Sequence, residues 1–283
     1  MIRGIHTSAA GMAAVSSKLD IISNNLANVD LTGYKNDIAV MKSFPDIMLR
    51  RNFDDGLMAF PLGSYDTMPV VGKLGTGVEL NESYTVFDQG SLKESHNDFD
   101  LALEGKGFIA VQTEKGERYT RNGSFTINKE GFLVTSEGYN VLSETGPIKI
   151  KENNFVIDKE GNIFVNKEYE SDPERLVQRN ENEWKEKEFI GRLKVVRFDR
   201  ERELRREGSS FYFENEFTGA HRIAEGNERP TILQGFKESS TVNVVSEMVQ
   251  MIEVQRLYEA NQKAIQNHDQ LLGKVINQAG VAR

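Results

Sequence analysis

The sequence predicts a mainly β protein with α-helical termini, in which an antiparallel, many-stranded β-domain is inserted between N- and C-terminal helices. The helices must pack on each other, on the β-domain or on other copies of the protein. Three observations predict this fold class: a helical period near the N-terminus, a heptad-like period near the C-terminus, and short alternating apolar runs between them. The predicted domains are an N-terminal helix over 1–35, an extended or linker segment over 36–75, a β-rich outer domain over 76–235 and a C-terminal helix over 236–283.

The first helix is predicted from apolar or small residues that recur at spacings of three and four. Gly33 is well placed as a left-handed stop, so we expect the helix to end before an exit turn at Thr32-Gly33-Tyr34. The small residues of the stripe permit close approach of a neighbouring helix. The stripe consists of Ile5, Ala9, Met12, Ser16, Leu19, Ile22 and Leu26.

Three asparagines, Asn24, Asn25 and Asn28, precede this turn. Asparagine is a weak helix former because its short amide competes with the backbone for hydrogen bonds. Asn24 and Asn28 are one helical turn apart and share a face. We therefore expect their amides to bind the C-terminal helix or the backbone of an adjacent subunit, which would fix the register of assembly. The candidate assembly residues of this segment are Asn24, Asn25, Asn28, Thr32, Gly33 and Tyr34.

The C-terminal helix is predicted from Asn243 to about Gln278, where the chain has no proline and Gly273 is its single glycine. Apolar residues form a heptad-like seam, and a second seam beside it indicates more than one helical neighbour. Polar seam residues fix register at some cost in stability. The second seam passes through Leu257, Ala264 and Leu271, and the candidate assembly residues of the first are Met251, Val254, Tyr258, Asn261, Ile265, His268 and Leu272.

The middle of the chain reads as short strands separated by turns. Asn122-Gly123 is the strongest hairpin candidate, because a type I′ turn favours this pair. Residues 36–75 are read either as a short helix broken at Pro45 or as extended chain, and the charged stretch 167–188 as a surface excursion or a connecting hairpin. Further turns are predicted at Lys115-Gly116, Glu130-Gly131, Glu137-Gly138 and Glu160-Gly161.

Composition argues against several classes of function. The net charge of −8 disfavours a general nucleic-acid or anionic-membrane binder, and no apolar run approaches the ~20 residues needed for membrane insertion. The chain has no cysteine, and its four histidines are scattered without metal-ligand spacing. No catalytic constellation is found, so we expect no enzyme activity, no cofactor and no metal. The N-terminus lacks a continuous apolar segment, so it does not read as a Sec-type signal peptide, and a protein with this N-terminus would need another route if it leaves the cytoplasm.

Three blocks of sequence resemble the bacterial flagellar axial proteins, which are rod, hook and hook-associated subunits. The first block ends in Leu19-Asp20, Asn24-Asn25-Leu26-Ala27-Asn28 and Thr32-Gly33-Tyr34-Lys35. The second begins DFDLALEGKGF and resembles the β-domain segment of rod and hook proteins. The third begins NVVSEMVQMIEVQRLYEANQ and resembles their C-terminal helix.

The resemblance implies a structural subunit of the basal-body rod, whose terminal helices pair as a coiled coil and stack with neighbouring subunits into a hollow axle. It also implies that the β-domain forms the outer layer. It implies self-association, assembly with other rod and hook subunits, export by the flagellar type III apparatus, and a place in the periplasmic space. Residues 36–56 depart from the pattern of the distal rod, which favours the proximal rod. The alternatives are a distal rod subunit or another axial protein, and, in a different class, a ligand-binding β-domain that the helices merely cap.

Overall fold

The structure is a computed structural model of the 283-residue chain. It is mainly β with one helix at each end, which confirms the predicted fold class. The chain forms two compact units: the first contains Met1–Asn24, Ile38–Ser83 and Val245–Arg283, and the second contains Asn25–Asp37 and Tyr84–Val244. The residues described are 2–50, 59–60, 63–64, 70–150, 155–165 and 188–281.

The first unit holds both terminal helices and the early strands. The strands pair as β1 with β6, β2 with β5 and β3 with β4. The elements are α1 (Ile2–Ala27), β1 (Asp37–Ser43), β2 (Ile47–Arg50), β3 (Ala59–Phe60), β4 (Gly63–Ser64), β5 (Val70–Leu74), β6 (Val78–Thr85) and α2 (Val244–Val281).

A short helix up to Pro45 is wrong, because β1 and β2 lie on either side of this proline. The periodicity of a single short segment does not reveal a strand whose partner lies far along the chain, and β2 pairs with β5 with Ile47 opposite Leu74. Strands in this segment agree with the alternative reading as extended chain.

The two terminal helices contact each other, as predicted. His268 of α2 lies against Gly4, and Asn261 lies against Gly11. Because the numbers rise along one helix and fall along the other, the pair is antiparallel. The connection between β5 and β6 also approaches α1, where a Cβ on Gly77 would stand 3.0 Å from the Cβ of Ala10.

The second unit contains the remaining strands, most of them short and antiparallel. They are β7 (Leu92–Glu94), β8 (Leu101–Glu104), β9 (Phe108–Thr113), β10 (Gly116–Thr120), β11 (Phe125–Ile127), β12 (Leu133–Thr135), β13 (Asn140–Ser143), β14 (Gly146–Pro147), β15 (Phe155–Ile157), β16 (Asn162–Val165), β17 (Glu188–Arg192), β18 (Val195–Arg197), β19 (Arg205–Glu207), β20 (Phe211–Phe213), β21 (Arg222–Ile223), β22 (Thr231–Gln234) and β23 (Phe236–Glu238).

Strand β9 lies at the centre of the largest sheet, which runs in the order β11-β12-β13-β9-β10-β20-β19. Its residues alternate between two apolar cores: Ile109 and Val111 enter one, and Phe108 and Ala110 enter the other. The continuous apolar run of this strand therefore reflects burial on both faces.

The glycine turns divide into two kinds. Gly131, Gly138 and Gly161 have positive φ and lie between strands that pair with each other, and Gly116, also with positive φ, is the first residue of β10 after its turn from β9. These predicted turns are confirmed. The hairpin predicted at Asn122-Gly123 is wrong, because β10 pairs with β9 and β20 and not with β11. The charged stretch 167–188 lies outside the described residues, except for its last residue.

Gly123 is needed for close approach and not for a hairpin. A Cβ on this residue would stand 1.6 Å from the carbonyl oxygen of Leu101. The backbone of Leu101 also donates to the carbonyl of Gly123 at 2.9 Å. Glycine is therefore fixed here by the neighbouring backbone, which a turn propensity does not report.

Candidate assembly surface

Asn25, in the last turn of α1, is a buried side chain that binds the start of a strand. Its Nδ2 donates to the Asp37 carbonyl at 2.9 Å, and its Oδ1 accepts from the Asp37 N–H at 3.0 Å. The amide thus satisfies the donor and the acceptor of one backbone residue, as a neighbouring strand would. Asn25 is 1% exposed, so this weak helix former has its partners inside the fold.

The two flanking asparagines lie differently. Asn24 is exposed, and Asn28 is half-buried and hydrogen-bonds the Tyr34 side chain. The binding of their amides to the C-terminal helix or to an adjacent subunit stays a prediction. The sequence pattern did not distinguish Asn25, although it is the one whose two bonds to Asp37 anchor the segment.

Gly33 is the left-handed residue of the exit turn, with φ of 68°. A Cβ on it would stand 2.3 Å from the carbonyl oxygen of Arg121, so a larger residue would be excluded by sterics as well as by φ. Its N–H donates to the Glu238 carbonyl at 2.8 Å. The neighbouring Thr32 is half-buried.

Tyr34 fills the space behind this turn. It is 1% exposed, and its hydroxyl donates to Asn25 Oδ1 at 3.3 Å. Burial raises the pKa of this phenol. The Arg206 guanidinium lies 4.3 Å from the ring centre of Tyr34 and pairs with Asp37 at 2.8 Å. The exit turn is thus held by stacking and by an ion pair.

Lys35 forms a fully buried ion pair with Glu238. Its Nζ lies 2.7 Å from Glu238 Oε1, and the two side chains are 0% and 1% exposed. The same Nζ donates to the Asp88 carbonyl. Glu238 Oε1 also accepts from Gln89 Nε2 at 2.8 Å and from the Gly90 N–H at 2.9 Å. A charge pair removed from water is tolerated only when hydrogen bonds of this kind complete it.

Arg121 brings a second cation to the same carboxylate. Its Nη1 lies 3.7 Å from Glu238 Oε2, and its side chain is 2% exposed. Burial lowers the pKa of both Lys35 and Arg121, while the Glu238 charge acts to raise both. Within the described part of the chain, Glu238 Oε2 and Arg121 Nη1 have no hydrogen-bond partner. Two buried cations thus depend on one anion.

This cluster joins the chain where it leaves α1 to the chain where it approaches α2. The Thr241 N–H donates to the Tyr34 carbonyl at 3.1 Å, and the Asn36 N–H donates to Thr241 Oγ1 at 3.0 Å. Our sequence reasoning missed Lys35 and Glu238 as site residues. Lys35 ends the Thr-Gly-Tyr-Lys motif, but its partner lies 203 residues away, and a motif does not show such a pairing.

The candidate residues of α2 divide by exposure. Val254 is buried at 2% exposure, whereas Tyr258 is 39% exposed. Asn261 and His268 face Gly11 and Gly4 of α1. Half-buried positions are Met251, Asn261, Ile265, His268 and Leu272.

A large part of the apolar surface of α2 is exposed to solvent. Val245, Met248, Val249 and Ile252 are between 49% and 72% exposed and form an i, i+3, i+4, i+7 pattern, which places them on one face of the helix. At 100° per residue, this stripe lies on the side of the helix opposite to Val254 and Asn261. In the second predicted seam, Leu257 is 55% and Leu271 is 50% exposed, whereas Ala264 is half-buried.

The described residues contain no group of three or more His, Cys, Asp or Glu side chains that could hold a metal ion. Across the same part of the chain, neither helix is long and apolar enough to cross a membrane.

Comparison with known proteins gives matches to three family models, in the order of the three sequence blocks. The model described as flagella basal body rod protein matches residues 5–35, and the FlgE/F/G D1 domain of flagellar hook protein matches residues 102–165. The C-terminal model of the flagellar basal body rod FlgEFG protein matches residues 233–279.

Curated relatives align over almost the whole chain. The flagellar basal-body rod protein FlgG of Buchnera aphidicola subsp. Schizaphis graminum is 34% identical over 97% of this chain and 99% of the relative. FlgG of Borreliella burgdorferi is 32% identical over 96% and 97%. FlgF of Caulobacter vibrioides is 32% identical over 93% and 92%. The chain belongs to the flagellar basal-body rod protein family.

Membership in the rod family makes the chain a structural component of the flagellar basal-body rod, as the resemblance implied. The family models also cover the residues described above: Lys35 falls within the first match and Glu238 within the last. The ion pair therefore connects the two matched terminal segments.

Proposed function

We propose that the chain polymerises through its terminal helices into the axial drive shaft of the basal body. The observation that carries this proposal is the exposed apolar stripe of α2, formed by Val245, Met248, Val249 and Ile252. A helix stripe of this kind gains stability only when it is covered, and contiguous exposed apolar surface marks a protein interaction site.

The gain from covering the stripe is substantial for a repeating assembly. Burial of a half-exposed aliphatic side chain contributes on the order of 1 kcal/mol, from about 25 cal/mol per Å² of apolar surface. Because each subunit of a rod presents the same stripe, this contribution repeats along the polymer. The exposed small residues Ala9 and Ser16 of α1 leave room for a neighbouring helix on that side.

The partners in this proposal are other copies of the chain and other rod and hook subunits, with delivery by the flagellar type III export apparatus into the periplasmic space. No catalysis, no nucleic-acid binding and no membrane insertion is proposed. The proximal rod is the position that the sequence favours. The names of the relatives identify rod proteins without giving a position along the rod, so the distal rod is the alternative.

The test introduces a charge into the stripe. Val249→Glu together with Ile252→Glu, expressed in the bacterium lacking the native gene, is expected to abolish motility and rod incorporation. Gln255→Glu is a matched control that adds a carboxylate at an exposed polar position of the same helix. Urea unfolding of the purified variants checks that the second unit remains folded. Normal rods from the stripe variant would contradict the proposal.

A deletion gives the complementary test. Removal of residues 2–24 takes away most of α1 and spares Asn25–Asp37, which belong to the second unit. We expect a folded protein that builds no rod. A deletion through residue 35 is unsuitable, because it also removes the buried side chains of Tyr34 and Lys35.

A further inference from the structure

Two glycines of α1 receive two polar side chains of α2. A Cβ atom added to Gly4 would lie 2.7 Å from His268 Nε2, and a Cβ atom added to Gly11 would lie 3.1 Å from Asn261 Nδ2. Both distances are below ordinary van der Waals contact, so a side chain larger than that of glycine would displace these polar side chains from the positions they occupy.

The spacing of the two contacts is the same on both helices. Gly4 and Gly11 are one heptad apart, and so are Asn261 and His268. The two contacts therefore belong to one register of an antiparallel pair. We infer that these two glycine–polar contacts determine the register in which α1 and α2 pair. Under the proposed function, the helix pair in this register is the one that enters the rod.

Shifting the pair by one heptad removes one of the two contacts. In one direction Asn261 meets Lys18 and no longer a glycine, while Val275 meets Gly4. In the other direction His268 passes beyond the start of α1, and Val254 meets Gly11. Apolar residues alone recur at every heptad and do not distinguish these registers, whereas a polar residue with one matching space does.

The buried Nδ1 atom of the half-buried His268 supports a role in specificity. Within the described residues, its Nδ1 has no hydrogen-bond partner and is screened from solvent. An unpaired buried nitrogen costs stability, and polar seam residues that lower stability are known to specify register. Gly273 provides a contrast within the same helix pair, because a Cβ there would meet no atom within 4 Å.

The experiment reads the register directly by disulfide trapping. The chain has no cysteine, so any intrachain disulfide in a variant comes from the two introduced cysteines. The inferred register places Ser8 opposite Ala264, which are both half-buried, and a one-heptad shift places Ser8 opposite Leu271. The full chain carrying Ser8→Cys with Ala264→Cys, or Ser8→Cys with Leu271→Cys, is oxidised mildly in cells, and intrachain disulfides are quantified by gel mobility and mass spectrometry.

We expect efficient cross-linking of the first pair and little of the second. Gly11→Leu is expected to lower the yield of the first pair at least fivefold, because leucine fills the space of the Asn261 side chain. Adding Asn261→Ala reopens that space and should restore the yield. Gly273→Leu is the matched control and should change nothing.

An unchanged yield in Gly11→Leu, a failure of Asn261→Ala to restore it, or equal yields from the two pairs would overturn the inference. The inference rests on the proposed function only for the role of the helix pair in the rod, and rod incorporation is scored separately in the same strains. A high disulfide yield of the Ser8–Ala264 pair in cells that build no rods would overturn the proposed function alone. Normal rods together with a disulfide yield that Gly11→Leu does not change would overturn the inference alone.

Discussion

Replacing Glu238 by Gln is expected to destabilise the second unit more than replacing Lys35 by Met. The reason is the count of charges in the buried cluster, where Lys35 and Arg121 both face Glu238. Lys35→Met leaves one cation and one anion, which still neutralise each other. Glu238→Gln leaves two buried cations with no anion between them.

The magnitudes follow from the geometry. Removing one partner of a buried ion pair costs about 3–5 kcal/mol. For Lys35→Met we expect about 3 kcal/mol, since Gln89 and Gly90 still donate to the carboxylate and Arg121 lies 3.7 Å from it. For Glu238→Gln we expect about 5 kcal/mol. The triple variant Lys35→Met, Arg121→Met, Glu238→Leu should come within about 2 kcal/mol of the wild type, because apolar replacement of a whole buried ionic cluster is often close to neutral.

The assay is equilibrium urea unfolding of the full chain at pH 7, followed by circular dichroism, with the midpoint and slope compared between variants. Lys129→Met, at an exposed lysine, serves as the control and should change the free energy of unfolding by less than about 0.5 kcal/mol. Equal losses for Glu238→Gln and Lys35→Met, or losses below about 1 kcal/mol for both, would refute the reasoning.

Three further stability measurements test Asn25 and Gly33, which lie at the end of α1 and in its exit turn, and the ion pairs of Glu207. Asn25→Ala should lower the free energy of unfolding by about 2–3 kcal/mol, because the N–H and the carbonyl of Asp37 each lose a buried hydrogen bond. Asn24→Ala, at an exposed position, should cost less than about 1 kcal/mol. Similar losses in the two variants would contradict the anchoring role of Asn25. Gly33→Ala should cost more than Gly138→Ala in the same assay, since both have positive φ but a Cβ meets no atom within 4 Å at Gly138. Glu207 accepts hydrogen bonds from Lys115 and Arg118, and these bonds lower its pKa. The stabilisation that the two bonds provide is therefore present above the usual glutamate pKa and is lost as pH falls through the lowered value. Glu207→Gln should therefore be less stable than the wild type at pH 7, and the difference should disappear in acid; a difference independent of pH would contradict this.

Much of the fold could be predicted from the sequence because its signals are local. The heptad spacing of α2 predicted a seam that contains Asn261 and His268, and both residues lie against glycines of α1. Gly131 and Gly138 marked true hairpins, because a positive φ is a property of the residue itself. These features need no knowledge of distant segments.

The rest depends on contacts between segments far apart in the chain. Asn122-Gly123 looked like a hairpin, but Gly123 is required by the approach of Leu101. The pairing of Lys35 with Glu238, and of Gly4 with His268, joins the two ends of the chain. A residue pattern shows that a lysine or a glycine is present, but the partner is set by the tertiary fold.

The central claim is that this chain builds the rod through its terminal helices. The most direct test is electron cryo-microscopy of basal bodies isolated from cells that carry the labelled subunit, at a resolution that separates helices. We expect the label within the rod, with Val245, Val249 and Ile252 covered by a neighbouring subunit. A rod without this chain, or a rod in which the stripe remains exposed to solvent, would contradict it.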